Sequence, residues 1–202
     1  MKKLSQGSWV QTLMHGKRVY SFAELLMLTK LSPPALRRAL SRLGKRGLLL
    51  RLAKGLYANG FQMPSMEEVA CLIYPPSYIS LESALFIHGI LDQAPYVITC
   101  VTCNKTKRFE TKLGTVLFAH IKPALFFGYK ITDRWILAEP EKAALDYIYL
   151  QKQNGLDPKL DEWNWENLST EKLHVIALKY PATVRLLLAQ AMPSPLKLGS
   201  GL

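Results

Sequence analysis

Guanidinium and ammonium groups are the chemistry this sequence offers most plainly, and their spacing gives them a direction. Between Pro33 and Arg46, on a helix turning about 100° per residue, Arg38, Ser41, Arg42 and Lys45 fall on one side, with Arg37 at its margin. Leu36, Ala39, Leu40 and Leu43 fall on the other. A leucine stripe that fixes such a helix to a core leaves the arginines in solvent, where they can offer forked donors to guanine edges and charge to phosphates. Taken alone, the same pattern describes an amphipathic surface helix whose basic face is only solvated. Arg51 and Lys54 follow, and Lys17 and Arg18 precede. Both pairs carry the charge to clamp a sugar-phosphate backbone, a contact that sets register without reading sequence.

Other chemistry is sparse. Cys100-Val-Thr-Cys103 has the spacing of a ligand pair, but no second Cys/His pair accompanies it at zinc-site spacing, so two ordinary thiols in or near a core are expected. His15, His88, His120 and His174 are scattered singly, and there is no H-E-x-x-H, no phosphate-cradling glycine loop and no G-x-S-x-G elbow. Glu139-Pro-Glu141 is the only acid-x-acid pair of the kind nucleotidyltransferases use, and it lacks an upstream Gly-Ser in context. One enzymatic alternative remains: Glu82, Asp92 and Glu110-Thr-Lys112 loosely fit a metal-dependent nuclease, carboxylates holding magnesium and the lysine facing a phosphate. The proline expected before Asp92 is missing. The expectation is a protein that is not an enzyme and uses no cofactor and no metal.

Where the charge lies sharpens the reading of the arginines. The chain's net charge is +11, and the first sixty residues alone hold twelve Lys or Arg against a single acid, Glu24. From Phe61 onward fourteen basic residues balance fourteen acidic ones. The excess therefore belongs entirely to the amino-terminal third, which calls for a polyanionic partner there and nowhere else.

The elements that must carry these charges can be read in order. Ser8 suits the cap of a short helix bearing Trp9, Val10, Leu13 and Met14, stopped by Gly16. Ser21-Phe-Ala-Glu24 is a capping box that opens a second helix with Phe22, Leu25, Leu26 and Leu28, running to about Lys30. Ser32 and Pro33 begin the third, arginine-bearing helix, and Gly47 ends it. Leu48 to Leu52 and Leu56 to Ala58 then read as two strands around a turn at Ala53-Lys54-Gly55. Three helices followed by a hairpin, with cations on the third helix and at the hairpin tip, are the order of a winged helix-turn-helix. Duplex DNA is the partner that geometry suits. An RNA-binding or acidic-protein-binding module is the competing reading, but Tyr20 and Tyr57 do not make a stacking platform for single strands.

The remainder reads as mixed α+β. Ser65-Met-Glu-Glu68 is a second capping box opening a helix to about Tyr74, and Ser80 suits the cap of another from Leu81 to His88. Strands are expected at 96–103, 109–112, 115–121 and 129–137, with turns at Gly114 and Gly128. Pro140 opens a long helix through Leu150 that buries Ala143, Ala144, Leu145, Ile148 and Tyr149, with Glu139 and Glu141 favoured by the dipole at its start. Two more helices follow near 169–179 and 181–191. The expected division is a DNA-binding domain over 1–62, an α+β domain over 63–192, and a disordered tail over 193–202. Lys2 and Lys3 lead into Ser5 and Gln6 rather than an apolar segment, no membrane span is visible, and three cysteines make no disulfide framework. A reducing cytoplasm is the expected compartment.

Three pieces of the chain together resemble a known family. Lys54-Gly-Leu-Tyr57, Tyr78-Ile-Ser-Leu-Glu-Ser-Ala-Leu85 with His88-Gly89, and Ala138-Glu-Pro-Glu-Lys-Ala-Ala-Leu-Asp146-Tyr-Ile-Tyr149 are similar to the AbiEi family, antitoxins of bacterial abortive-infection, type IV toxin–antitoxin systems. The similarity runs from about Lys17 to Leu150 and lies in the order of the motifs. It implies a winged-helix repressor that binds an operator near its own promoter, several copies binding that DNA cooperatively. It also implies a second domain that counters a nucleotidyltransferase-like toxin without a stable complex. The alternative is a stand-alone winged-helix regulator without antitoxin activity.

Overall fold

A computed structural model describes residues 6–192. The tail expected over 193–202 and the charged start at Lys2 and Lys3 lie outside the described residues. The chain forms two compact units, one reaching to Pro75 and taking in Glu110–Thr115, the other made of Pro76–Phe109 and the residues from Val116 onward. The sequence places the division after Gln62 instead. The difference arises from helix α4 (Met66–Ile73), whose Val69 is buried in one apolar cluster with Leu52, Leu56 and Ala58. A helix that buries its face on a sheet belongs with that sheet, whatever loop precedes it.

The first unit runs α1 (Gln6–Met14), β1 (Val19–Ser21), α2 (Phe22–Thr29), α3 (Pro33–Lys45), β2 (Leu49–Ala53), β3 (Leu56–Asn59) and then α4. Helix α1 starts ahead of Ser8, which therefore lies inside it rather than at its cap. None of Gln6, Gly7 and Ser8 is apolar, so no apolar spacing marks the extra turn. Trp9 and Leu13 of α1, Tyr20, Leu25 of α2 and the whole leucine stripe of α3 share one core with Leu49. Strand β1 is too short to show a period in sequence. It pairs antiparallel with β3, Tyr20 opposite Tyr57, and makes a three-stranded sheet in the order β1-β3-β2.

Polar contacts lock this arrangement. Buried Asn59 donates to the Leu13 and Lys17 carbonyls at 2.7 and 2.9 Å, tying the end of α1 to the sheet. Tyr20 accepts the Lys17 N–H at 2.8 Å, and Gly16 lets it approach, since a Cβ there would lie 1.8 Å from the phenol oxygen. The α2 capping box forms as expected, Ser21 accepting from the Glu24 N–H and Glu24 from the Ser21 N–H. At α3, Ser32 occupies the cap position without a side-chain bond.

The larger sheet has the order β6-β7-β5-β4-β9-β8 and belongs to the second unit apart from the β6–β7 hairpin tip, Glu110–Thr115, which clusters with the first. Its strands are β4 (Ser77–Ile79), β5 (Ile98–Thr102), β6 (Lys107–Thr111), β7 (Gly114–His120), β8 (Tyr129–Ile131) and β9 (Ile136–Ala138). Strand β5 runs parallel to β7 and antiparallel to β4, and β4 runs parallel to β9, so the sheet is mixed. The stretch from Tyr129 to Leu137, read in sequence as one strand, is a hairpin of β8 and β9. Thr132 turns it by accepting the Arg134 and Trp135 N–H groups through its hydroxyl. Helices α5 (Leu81–Ile87), α6 (Pro140–Gln153), α7 (Thr170–Ala177) and α8 (Ala182–Ala191) complete the unit. The architecture is mixed α+β. Among the described residues no helix is long and apolar enough to cross a membrane.

A buried polar cluster holds this second unit at its centre. Asp146 on α6 accepts from Lys142 one turn earlier, from Tyr180 at 2.7 Å, and from Tyr78 and Ser80 at 3.0 Å each. Ser80 sits at the cap position of α5 but makes no capping bond, because its hydroxyl is spent on Asp146. Glu141 is likewise more than a dipole partner: it is buried and accepts the Ser169 N–H at the start of α7. Ala143, Ala144, Leu145, Ile148 and Tyr149 are buried as the periodicity requires.

Candidate nucleic-acid interface

Helix α3 buries Leu36, Ala39, Leu40 and Leu43 and exposes Arg37, Arg38, Ser41, Arg42 and Lys45. Its end is fixed by Gly47 in the left-handed region, with the Leu48 N–H bonded to the Leu43 carbonyl at 3.0 Å, a closure that lets β2 leave the helix at once. The following hairpin turns at Lys54 and Gly55, again left-handed at the glycine. The Gly55 carbonyl accepts the Phe22 N–H at 2.8 Å, so the hairpin tip is hooked to the start of α2 and held in place relative to α3. Exposed Lys54 is therefore a fixed cation on a short arm.

Between α3 and this hairpin lies a cleft of about 630 Å³. Arg37, Ser41 and Gly44 line it from the helix, and Arg51 and Lys54 from the hairpin. Among the described residues no carboxylate lines it. The Arg37 guanidinium sits 5.6 Å from the centre of the Phe22 ring, a cation–π contact that holds it at the cleft rather than at the margin suggested by the helical projection. Arg38, Arg42 and Lys45 lie further round α3, outside the cleft lining. The basic face thus has two parts, one turned to the hairpin and one turned away from it.

Lys17 and Arg18 are placed differently. Lys17 is paired with Glu24 at 2.8 Å, and Arg18 bonds both oxygens of Glu68 at 2.9 and 3.0 Å. Each charge is matched by a carboxylate within the unit, so neither joins the uncompensated cluster in the cleft. Lys112, by contrast, lines the cleft, although nothing in its surroundings in sequence links it to the basic third.

The Glu24 carboxyl is held down at about 2, against an ordinary 4.5, chiefly by Lys17 and next by the Ser21 N–H. A lowered carboxylate stabilises the fold above its unfolded value and loses that contribution as pH falls through the folded one. The expected cost of Glu24→Ala is therefore about 1 kcal/mol at neutral pH, kept small by the solvent around Lys17. In denaturation at stepped pH, the parent's advantage over Glu24→Ala should be full above 4.5 and gone as the pH falls through about 2. A difference that does not change over that window would mean the capping carboxylate is not the titrating group.

The enzymatic candidates do not assemble. Among the described residues no group of three or more His, Cys, Asp or Glu is disposed to hold a metal ion, so Glu82, Asp92 and Glu110 form no such cluster. Asp92 instead accepts from the Asn164 amide at 2.8 Å. Cys100 is buried within β5, and burial pushes the Cys103 thiol up, away from the thiolate form.

Comparison with protein-family models and with curated proteins returned no match. Among solved structures the fold is matched: the chain is similar to the crystal structure of the RV2827C protein from Mycobacterium tuberculosis, with a TM-score of 0.60 and 15% identity. The likeness covers 95% of this chain and 76% of that one, so it includes both units, and it is a likeness of fold.

Proposed function

We propose that the protein is a DNA-binding transcriptional repressor whose first unit is a winged helix-turn-helix. In this reading α3 is the recognition helix and the β2–β3 hairpin the wing. The observation that carries it is the uncompensated basic surface of α3 and the hairpin, built on a buried leucine stripe and isolated from the chain's acidic residues. Such a surface repels itself and is repaired by a polyanion. A helix of thirteen residues bearing it has the length to lie in a major groove. Arg38, Arg42 and Lys45 contact base edges, while Arg37, Arg51 and Lys54 contact backbone. By its resemblance to the AbiEi family, the operator lies near the protein's own promoter, and the second unit counters a nucleotidyltransferase-like toxin.

The test is binding of the full chain to short duplexes over a range of salt concentrations, with single-stranded RNA as competitor. If about five phosphates are neutralised, log K against log salt should fall with a slope near −4 to −5. Duplex DNA should outcompete RNA. A flat salt response, or preference for single strands, would replace this reading with that of an RNA or protein-interaction module.

A further inference from the structure

We infer that Lys112, carried on the β6–β7 turn, is a backbone-contacting cation of the same DNA interface, so that the binding surface is completed by a segment far outside the basic amino-terminal third. This rests on the duplex-binding reading above and adds to it a contact that charge counting along the chain does not reveal.

Lys112 meets the requirements for a fixed phosphate contact. It is exposed, it lines the cleft together with Arg37, Arg51 and Lys54, and among the described residues no carboxylate pairs with it. Its backbone is held on both sides. The Thr111 hydroxyl donates to the Gly114 carbonyl at 2.9 Å and accepts the Leu113 N–H at 3.1 Å, closing the turn. Leu113 packs on the apolar cluster of Leu52, Leu56, Ala58 and Val69, and Thr111 contacts the Met66 sulfur at 3.6 Å. The turn residues Glu110–Thr115 cluster with the first unit. A lysine anchored between two such neighbours presents its charge from a defined point, and only its side chain has to be ordered on binding.

Four cations sharing a cleft without an acid would destabilise the fold unless something anionic sat among them. A flexible ammonium suits a phosphate as a point charge, with no demand for forked geometry, which makes arginine an adequate substitute at this position. Lys112 should therefore strengthen every duplex alike and read no base.

The experiment is salt-dependent binding of the full chain to a short mixed-sequence duplex, comparing the parent, Lys112→Ala and Lys112→Arg. Lys112→Ala should weaken binding and make the slope of log K against log salt shallower by about 1, and Lys112→Arg should restore it. Far-UV dichroism should be unchanged, since the side chain is exposed. A parent that binds with an alanine variant of unchanged affinity and slope overturns the role of Lys112 and leaves the duplex reading intact. A parent that binds no duplex at low salt overturns both.

Discussion

Asp146→Ala should cost about 3–5 kcal/mol of stability, the largest single-residue effect expected in this chain. The carboxylate is wholly enclosed and collects four donors, from Lys142, Tyr180, Tyr78 and Ser80. Burial alone pushes its carboxyl up and the Lys142 ammonium down, and each partner's charge opposes the other's shift. Desolvation is the larger effect on both groups, and their mutual attraction with the hydrogen bonds from Tyr78 and Tyr180 works against it. Removing Asp146 leaves a buried ammonium without a counter-charge, between the rings of Tyr78, Phe127 and Tyr180 at 5.0–5.5 Å. Those rings soften the cost but do not cancel it. The Lys142 stem cannot swing out easily either. Gly128, left-handed and opposite it, already sits where a Cβ would come within 3.1–3.2 Å of three of its carbons.

The same geometry makes the effects of the two residues non-additive. Replacing both partners with apolar residues of similar volume, as in Lys142→Met with Asp146→Leu, removes the desolvation cost along with the attraction. The double variant should therefore be more stable than Asp146→Ala alone, although Tyr78, Ser80 and Tyr180 lose an acceptor. Denaturant midpoints of the parent, Lys142→Met, Asp146→Leu and the double variant measure the coupling. Single substitutions costing less than about 1 kcal/mol would show that water reaches the cluster and that the ion pair is not enclosed.

How much of this was legible in sequence depended on the range of the interaction. The stripe Leu36, Ala39, Leu40, Leu43 and its basic opposite face could be read because a helical period repeats within four residues, and the structure buries and exposes those residues as expected. Both capping boxes were legible for the same reason. Strands β1 and β4, of three residues each, offer no period to detect. Position along the chain is also a poor guide to charge pairing. The pairing of Lys17 with Glu24 spans seven residues, beyond the i, i+3 and i, i+4 pairs that touch on a helix, and Arg18 finds Glu68 fifty residues on. In sequence Lys112 reads only with Glu82, Asp92 and Glu110 as part of a nuclease alternative, because its place at the cleft depends on a hairpin distant in sequence from the basic third. Ser80 has a satisfactory local explanation as a helix cap, and nothing local sets Asp146 apart. Their contact joins two segments sixty-six residues apart.

Arg42→Ala should reduce affinity for the preferred operator by about 1–3 kcal/mol and narrow the gap between that operator and unrelated duplexes. Arg42 lies on the part of α3 turned away from the hairpin, with Arg38 and Lys45, where no carboxylate among the described residues engages it. In the proposed seating of α3 in a major groove, this outer arc meets base edges and the arc facing the hairpin tracks the phosphates. Lys54→Ala is the matched control, since loss of a backbone contact should weaken all sequences equally and leave discrimination unchanged. Arg42 also stands in the last turn of α3, where its charge favours the helix dipole, so a loss of a few tenths of a kcal/mol in stability is expected independently of DNA. That loss is too small to alter binding and can be measured separately. The decisive quantity is the ratio of affinities between operator and non-operator. Should Arg42→Ala leave that ratio intact while Arg37→Ala or Ser41→Ala lowers it, the bases are read by the arc beside the hairpin, and α3 lies in the groove rotated toward the cleft.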